Sequence, residues 1–509
     1  MKVNHYLKGI FALIILIVFS GCESKLYEDP ENTQYNADID FTQSEDMILP
    51  LIGAYQKFQS RGWEQIPLIS VRGDDVNAGG LGDQQDFAET DKFNYNKDYW
   101  MYNSLWQTMY VDMVDINVQI EQIELYRDNG ASSQLANQYI AEAKTLKAFL
   151  LFQVSRVWGK VFIPEGTDVL QWPLRDKEEV MQYISDLMDE AIPDLLSIHP
   201  NKREDIKGGV TKYTALSVKA LSNLELKNYQ EVANATEKII QSNAFKLEPD
   251  YYQLFKKPGK LNDENILEFQ YSDFGQGTGT NISHLFAFYG PQNWTPAITG
   301  AGSGWGFYEP SLKYIKFMLD RNETVRLETT VLFTDRGINE IKSDPSYATL
   351  PSWISNTTRD GDVINDYSRA LFSSGKFYLP SVQLTEGRTD YGTSKNYTCI
   401  RYSEILLMYA EALTQGATGT VMTADQAVNT VRLRASLNTI SGVTNAQVMD
   451  EKFAELATEW GTRYYDMIRL GNLNELSYDG RAFSEDRTYL PYPQAQVDLS
   501  DVLKEEVSN

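Results

Sequence analysis

Arg401-Tyr402-Ser403-Glu404-Ile405-Leu406-Leu407-Met408-Tyr409-Ala410-Glu411-Ala412 is the stretch on which the fold turns. Ile405, Met408, Tyr409, Ala412 and the following Leu413 recur at spacings of three and four, which is one face of a helix. Glu404 and Glu411 stand inside that apolar run. Half-buried charges require partners. Arg432, Glu455, Glu459, Arg463, Asp466 and Arg469 lie downstream, again among apolar helical positions. The pattern predicts ion-pair networks that lock several helices together.

Outward from this block, helical signals dominate. Toward the C-terminus, a helix is predicted over 427–437. Phe453, Leu456, Trp460, Tyr464, Met467 and Ile468 trace a longer face. Toward the N-terminus, Trp106, Tyr110, Met113, Asn117 and Ile120 share one face, with Asn117 read as a hydrogen-bonded core residue. Phe149, Leu150, Val154, Val157 and Trp158 form another stripe, closed by Gly159. Further runs cover 177–196, 211–226 and 229–242. Short helices in pairs, with alanine at close contacts, predict a mostly α, tetratricopeptide-like scaffold of helix pairs with few short strands. No strict repeat is visible. Residues 251–400 differ: rich in Gly, Asn, Ser and aromatics and weak in periodicity, they predict a large loop-rich insertion between helical halves of about 46–250 and 400–509. Long irregular stretches of this kind usually carry function.

The other end of the chain sets the compartment. Lys2 and Lys8 precede an apolar run over residues 10–19, then Ser20-Gly21-Cys22. This describes a secretory signal peptide over 1–21, too short to span a bilayer. Residues 22–45 are polar and acidic and read as a tether, leaving 46–509 as a single domain. The whole chain carries a formal charge of -24. Removing the two signal-segment lysines takes it to 44 − 70 = -26. So acidic a body is a poor partner for nucleic acid. Cys22 and Cys399 are the only cysteines, so a thiolate metal cluster is excluded. With three histidines in all, a His-based zinc site or a Ser-His-Asp triad is hard to assemble. No Gly-x-Ser-x-Gly elbow, phosphate loop or His-Glu-x-x-His motif occurs.

Phe19-Ser20-Gly21-Cys22 resembles a bacterial lipobox, in which Cys22 is lipidated. Together with the Arg401–Ala412 block, four further segments resemble the SusD/RagB family of Bacteroidetes surface lipoproteins. These are Ala141–Phe149 running to Trp158-Gly159, residues 211–247, Arg463-Tyr464-Tyr465-Asp466-Met467-Ile468-Arg469, and Tyr489-Leu490-Pro491-Tyr492-Pro493-Gln494. Between Glu459 and Arg463 the pattern runs one residue longer than the commonest form. The resemblance implies an outer-membrane, outward-facing protein anchored through Cys22. It would capture oligosaccharides and deliver them to a SusC-like TonB-dependent transporter, with no catalysis. A peptide-binding lid on such a transporter, or a glycoside hydrolase, are the alternatives.

Sugars offer apolar C–H faces and many hydroxyls, which aromatic rings and Asn, Asp or Arg side chains can match. Trp100 and Asn103, three apart and so on one helix face, stand where the family carries glycan-contacting residues. Arg72 and Asp74, in Arg72-Gly73-Asp74-Asp75-Val76-Asn77, resemble a polar pair facing the ligand. Tyr289 and Trp294 in Phe288–Trp294, Trp305 between Gly304 and Gly306, and Trp353 are loop aromatics that either meet ligand or pack locally. Trp106 and Trp158 lie on helical stripes and belong to the core. No cofactor is expected. If calcium were held, its oxygen ligands would come from Asp74, Asp83 and Asp86, or from Asp360, Asp362 and Asp366.

Overall fold

The computed structural model describes residues 39–508, apart from 63, 80–82, 279–281 and 389–391. The signal segment and Cys22 lie outside the described residues. The body begins inside the span expected to be tether: Ile39 and Phe41 pack against a cluster around Met47, Leu51 and Ile123, and the Phe41 ring meets Tyr126 edge-on at 4.9 Å.

The scaffold is a row of antiparallel helices. They are α1 (Ile48–Gln59), α2 (Trp100–Asp128), α3 (Ser133–Trp158), α4 (Lys177–Ala191), α5 (Lys212–Glu225) and α6 (Tyr229–Gln241). After the insertion come α7 (Tyr402–Thr414), α8 (Ala424–Arg434), α9 (Asn445–Leu456) and α10 (Thr462–Leu470), and the chain closes with α11 (Gln494–Leu499) and α12 (Asp501–Glu506). The N-termini are set by side-chain caps. Asp176 with Glu179, Thr211 with Thr214, Thr423 with Gln426 and Thr444 with Gln447 form capping boxes that satisfy the first backbone N–H groups. Each helix packs on the next, α2 on α3 through to α6, and α6 packs on α7. The row therefore continues across the insertion, and the expected helix-pair scaffold is what forms. Asn117 is the hydrogen-bonded core residue its place on the stripe predicts: its amide donates to Pro164 O at 3.0 Å and its Oδ1 accepts from Lys147 at 2.8 Å.

Strands are few and short, and they place the insertion. β1 (Val76–Ala78) pairs antiparallel with β3 (Tyr308–Pro310), and β2 (Asn265–Phe269) with β4 (Tyr397–Arg401). The β2–β4 pair is a neck: the chain enters the insertion through one strand and leaves through the other, directly into α7. At the end of the neck the buried Arg401 donates to Glu264 at 3.0 Å, to both carboxylate oxygens of Glu459 at 2.9 Å, and to Glu455. Arg434 and Arg326 meet Glu455 from two other directions. Lys452 and Arg469 both pair with Glu411 and Asp466. The charges of the C-terminal motifs thus form the predicted locking networks. Tyr314, Ile315, Leu327 and Phe372 of the insertion share a core with Phe453 and Ala454 of α9, so the insertion is fused to the helical body.

The apolar face expected to run unbroken over 453–468 is interrupted. α9 ends at Leu456, and Thr458, Trp460 and Gly461 take left-handed backbone conformations before α10. The break has a purpose in the packing: Thr458 N donates to Asp75 at 2.6 Å, and Glu459 is free of the helix to reach Arg401. Among the described residues no helix is long and apolar enough to cross a membrane.

Candidate functional site

Trp100 is the first residue of α2, entered from an extended Tyr99. Its side chain is 46% exposed, unusual for the largest apolar ring. Beneath it lies the buried Phe87, edge-on at 6.2 Å. Phe87 meets Phe288 of the insertion at 5.1 Å, and Phe288 meets Trp305 at 6.5 Å and Phe307 at 5.2 Å. A continuous ridge of rings therefore joins the exposed Trp100, on the helical body, to the half-buried Trp305, on the insertion. The β1–β3 pairing brings the two sides together, helped by Gly79 N donating to Phe307 O at 2.5 Å.

Trp305 is held by its backbone: its N–H donates to Ala287 O at 2.5 Å, and its carbonyl accepts from Arg369 Nη1 at 3.3 Å. The flanking glycines are sterically required. A Cβ at Gly304 would sit 2.6 Å from the Gly290 backbone. Gly306 has φ of 64°, and a Cβ there would sit 2.6 Å from the Tyr367 ring. The Gly-Trp-Gly sequence is thus a tightly seated turn that carries a partly exposed indole. Arg369 also stacks on Phe307 at 4.2 Å and pairs with Asp83 at 2.6 Å. One ion pair therefore edges the ridge. Asn103, half-buried one turn after Trp100, accepts at Oδ1 from Gln496 Nε2 at 2.8 Å, which ties the C-terminal helices to this end of the site.

Four sequence candidates are internal. Arg72 is 1% exposed, lies over the Tyr464 ring at 4.5 Å and donates to Thr488 O at 3.1 Å. Asp74 is fully buried between Lys313 at 2.6 Å and Arg463 at 2.8 Å. Neither can offer itself to a sugar hydroxyl; both tie the β1 loop to the C-terminal helices. Tyr289 is buried, stacked on Phe377 at 3.9 Å, with its hydroxyl 2.9 Å from Ser70 Oγ. Trp294 is buried against Phe286 and Tyr378. Trp353, half-buried, packs on Phe333 in the insertion core, apart from the ridge contacts.

The acidic clusters are likewise occupied by the fold. Asp362 is buried and accepts from Ala297 N at 2.7 Å, from Ser381 N and Oγ, and from Tyr378 Oη. Asp360 accepts from Tyr252 Oη, and Asp366 from Arg336 N at 2.8 Å. Among the described residues no group of three or more His, Cys, Asp or Glu could hold a metal ion.

Sequence reading missed Phe87, Phe307 and Arg369. Phe288 opens the quoted Phe288–Trp294 stretch, where aromatic density pointed to it. Phe87 and Arg369 carry no local signal, because their role arises from the β1–β3 pairing of distant segments.

Residues 263–507 match the model of the SusD family. Over that segment the chain is similar to the SusD family. SusD-like protein P2 of Formosa agariphila is 24% identical over 500 residues, covering 91% of this chain and 90% of the relative. A SusD-like protein of Bacteroides ovatus is 23% identical over 381 residues, covering 71% of this chain and 64% of the relative. Among solved structures, surface glycan-binding protein A from Bacteroides thetaiotaomicron in complex with laminarihexaose superposes with a TM-score of 0.73 at 23% identity. It covers 90% of this chain and 98% of that one. The Bacteroides fluxus counterpart gives 0.74 at 20% identity, covering 90% and 97%. These likenesses show the SusD fold.

Proposed function

We propose that this chain is a cell-surface glycan-binding protein that captures oligosaccharides and delivers them to a SusC-like TonB-dependent transporter. A lipid on Cys22 would hold it to the outer face of the outer membrane. The observation that carries the reading is the ring ridge: on a SusD-family scaffold, Trp100 exposes an indole at one end and Trp305 presents another across the junction with the insertion. Indole faces suit the C–H faces of sugar rings, and Asn103, Asp83 and Arg369 lie alongside as hydrogen-bonding groups. Relatives of the same fold include a laminarin-binding SusD-like protein, which favours a glycan over a peptide.

Binding without hydrolysis is the better-supported chemistry. A glycosidase needs two carboxylates facing each other across the bound sugar. Asp83, a carboxylate at the ridge, is tied to Arg369. Native affinity electrophoresis of the purified protein in gels containing laminarin tests the reading. Wild-type protein is expected to be retarded and Trp100→Ala to migrate freely; equal retardation of the two would remove the ridge from the site. Release of reducing ends during the same incubation would overturn binding without hydrolysis.

A further inference from the structure

A cleft of about 560 Å³ opens between Lys97, the end of α3, the start of α4 and the C-terminal segment. Its size falls within the range of small-molecule sites. Its lining is aromatic and charged at once. Trp158 is anchored by Nε1 donating to Pro491 O at 3.2 Å. Tyr489 lies so close over Gly159 that a Cβ there would be 2.8 Å from the ring. Tyr492 is fixed by its hydroxyl donating to Lys160 O at 2.8 Å. Both tyrosine rings are half-buried, so each keeps exposed surface.

The charges at this cleft are already matched. Lys160 pairs with Glu506 at 2.7 Å and reaches Asp176 at 3.9 Å, and Lys177 pairs with Glu225 at 3.0 Å. Lys97 and Glu178 complete the polar lining, one of each sign. An ion of either sign finds no excess of opposite charge. Gln494 adds an uncharged amide side chain to the lining. Fixed rings and a polar lining without net charge describe a site for a neutral, hydroxyl-rich ligand with apolar faces.

We infer that this cleft is a second saccharide subsite, contiguous with the Trp100 end of the ridge. Two contacts make the continuity: Gln494 N donates to Lys97 O at 3.0 Å, and Gln496 donates to Asn103. Lys97 lines the cleft three residues before Trp100. The inference rests on the glycan reading of the ridge and extends it: a long neutral glucan would be gripped at the ridge and again at the cleft, with Tyr489 and Tyr492 as the second pair of rings.

The test uses Glu178→Trp, a bulky plug at an exposed position of the lining, so the wild-type unfolding midpoint should persist. A second plug from the opposite wall, Lys97→Trp, also at an exposed lining position, covers the case in which Glu178→Trp disturbs α4. Affinity for laminarin is measured for each variant and for Trp100→Ala. Weakening by about 3- to 10-fold in the plugged proteins is expected, the factor that one or two lost ring contacts represent. Unchanged affinity in both plugged proteins, with loss in Trp100→Ala, overturns the second subsite and leaves the ridge standing. Weakening by the plugs with Trp100→Ala unaffected keeps the cleft and rejects the ridge. Failure of the wild-type protein to bind laminarin overturns both.

Discussion

The guanidinium of Arg401 grips Glu459 with two parallel hydrogen bonds, Nε to Oε2 and Nη2 to Oε1, each 2.9 Å long. Arg401 ends the neck of the insertion, and Glu459 sits in the break between α9 and α10. One bidentate pair, a geometry that suits arginine, therefore joins the ligand-side insertion to the C-terminal helices.

Removing that cation should be severe. Arg401→Ala would leave Glu264, Glu455 and Glu459 buried around an empty position. Breaking a buried pair from one side costs about 3–5 kcal/mol, and urea unfolding should register a loss of that order. Arg401→Lys is expected to recover only part of it, because an ammonium cannot reproduce the fork.

Acid should unlock the same network. Burial alone would raise the Glu455 carboxyl, but Arg434, Arg401 and Arg326 hold it well below the ordinary carboxylate range. Glu459 is held low by Arg401 and Lys376 against the same cost of burial. Groups with depressed values in the folded state contribute stability above their unfolded value of 4.5 and lose it as pH falls through the folded one. Stability followed by denaturant midpoint should therefore fall as the solution is acidified below that value. Glu455→Gln should start lower and fall less steeply.

At the ridge, Trp100→Ala and Trp305→Ala should separate binding from folding. Each is expected to weaken glycan affinity about tenfold, the order of one or two aromatic contacts. Trp100→Ala should leave the thermal midpoint close to wild type, since its ring is exposed. Trp305→Ala should lower it, because Trp305 packs on Phe288 and Phe307. A Trp100→Ala protein that unfolds early would place that ring in the core instead.

Gly306→Ala should misplace the Trp305 turn. The left-handed backbone at φ 64° and the Tyr367 ring both oppose a Cβ. A cost of about 1–3 kcal/mol is expected. Glycan binding should fall with it, and the near-ultraviolet tryptophan signal should change.

Cys22→Ala should release the protein from membranes. Fractionation of cells that lack the proposed SusC-like transporter checks this, and retention there would count against a lipid on Cys22.

Much of the scaffold was legible because its helices are locally encoded. The 405–413 stripe, the Trp106–Ile120 face and the 149–158 stripe closed by Gly159 each sit within a few residues of what they determine. The charged residues of α7 to α10 were legible as partners because charges in apolar rows have few other fates. The site was less so. Trp100 is exposed, as its loop setting suggested, but Trp294 and Tyr289 read the same way and are buried. Their burial depends on Phe286, Tyr378 and Phe377, brought in by chain folding that no local pattern announces. Arg72 and Asp74 looked like surface polars because Lys313, Arg463 and Tyr464 lie hundreds of residues away.

The two strands of the neck leave and rejoin the helical row side by side, with Glu264 hydrogen-bonded to Arg401 across 137 positions of sequence. Topologically, everything between them is a cassette. Its loops away from the core shared with α9 can be redrawn without moving the ends that α6 and α7 require. A lineage built this way can vary those loops while keeping the helical row unaltered.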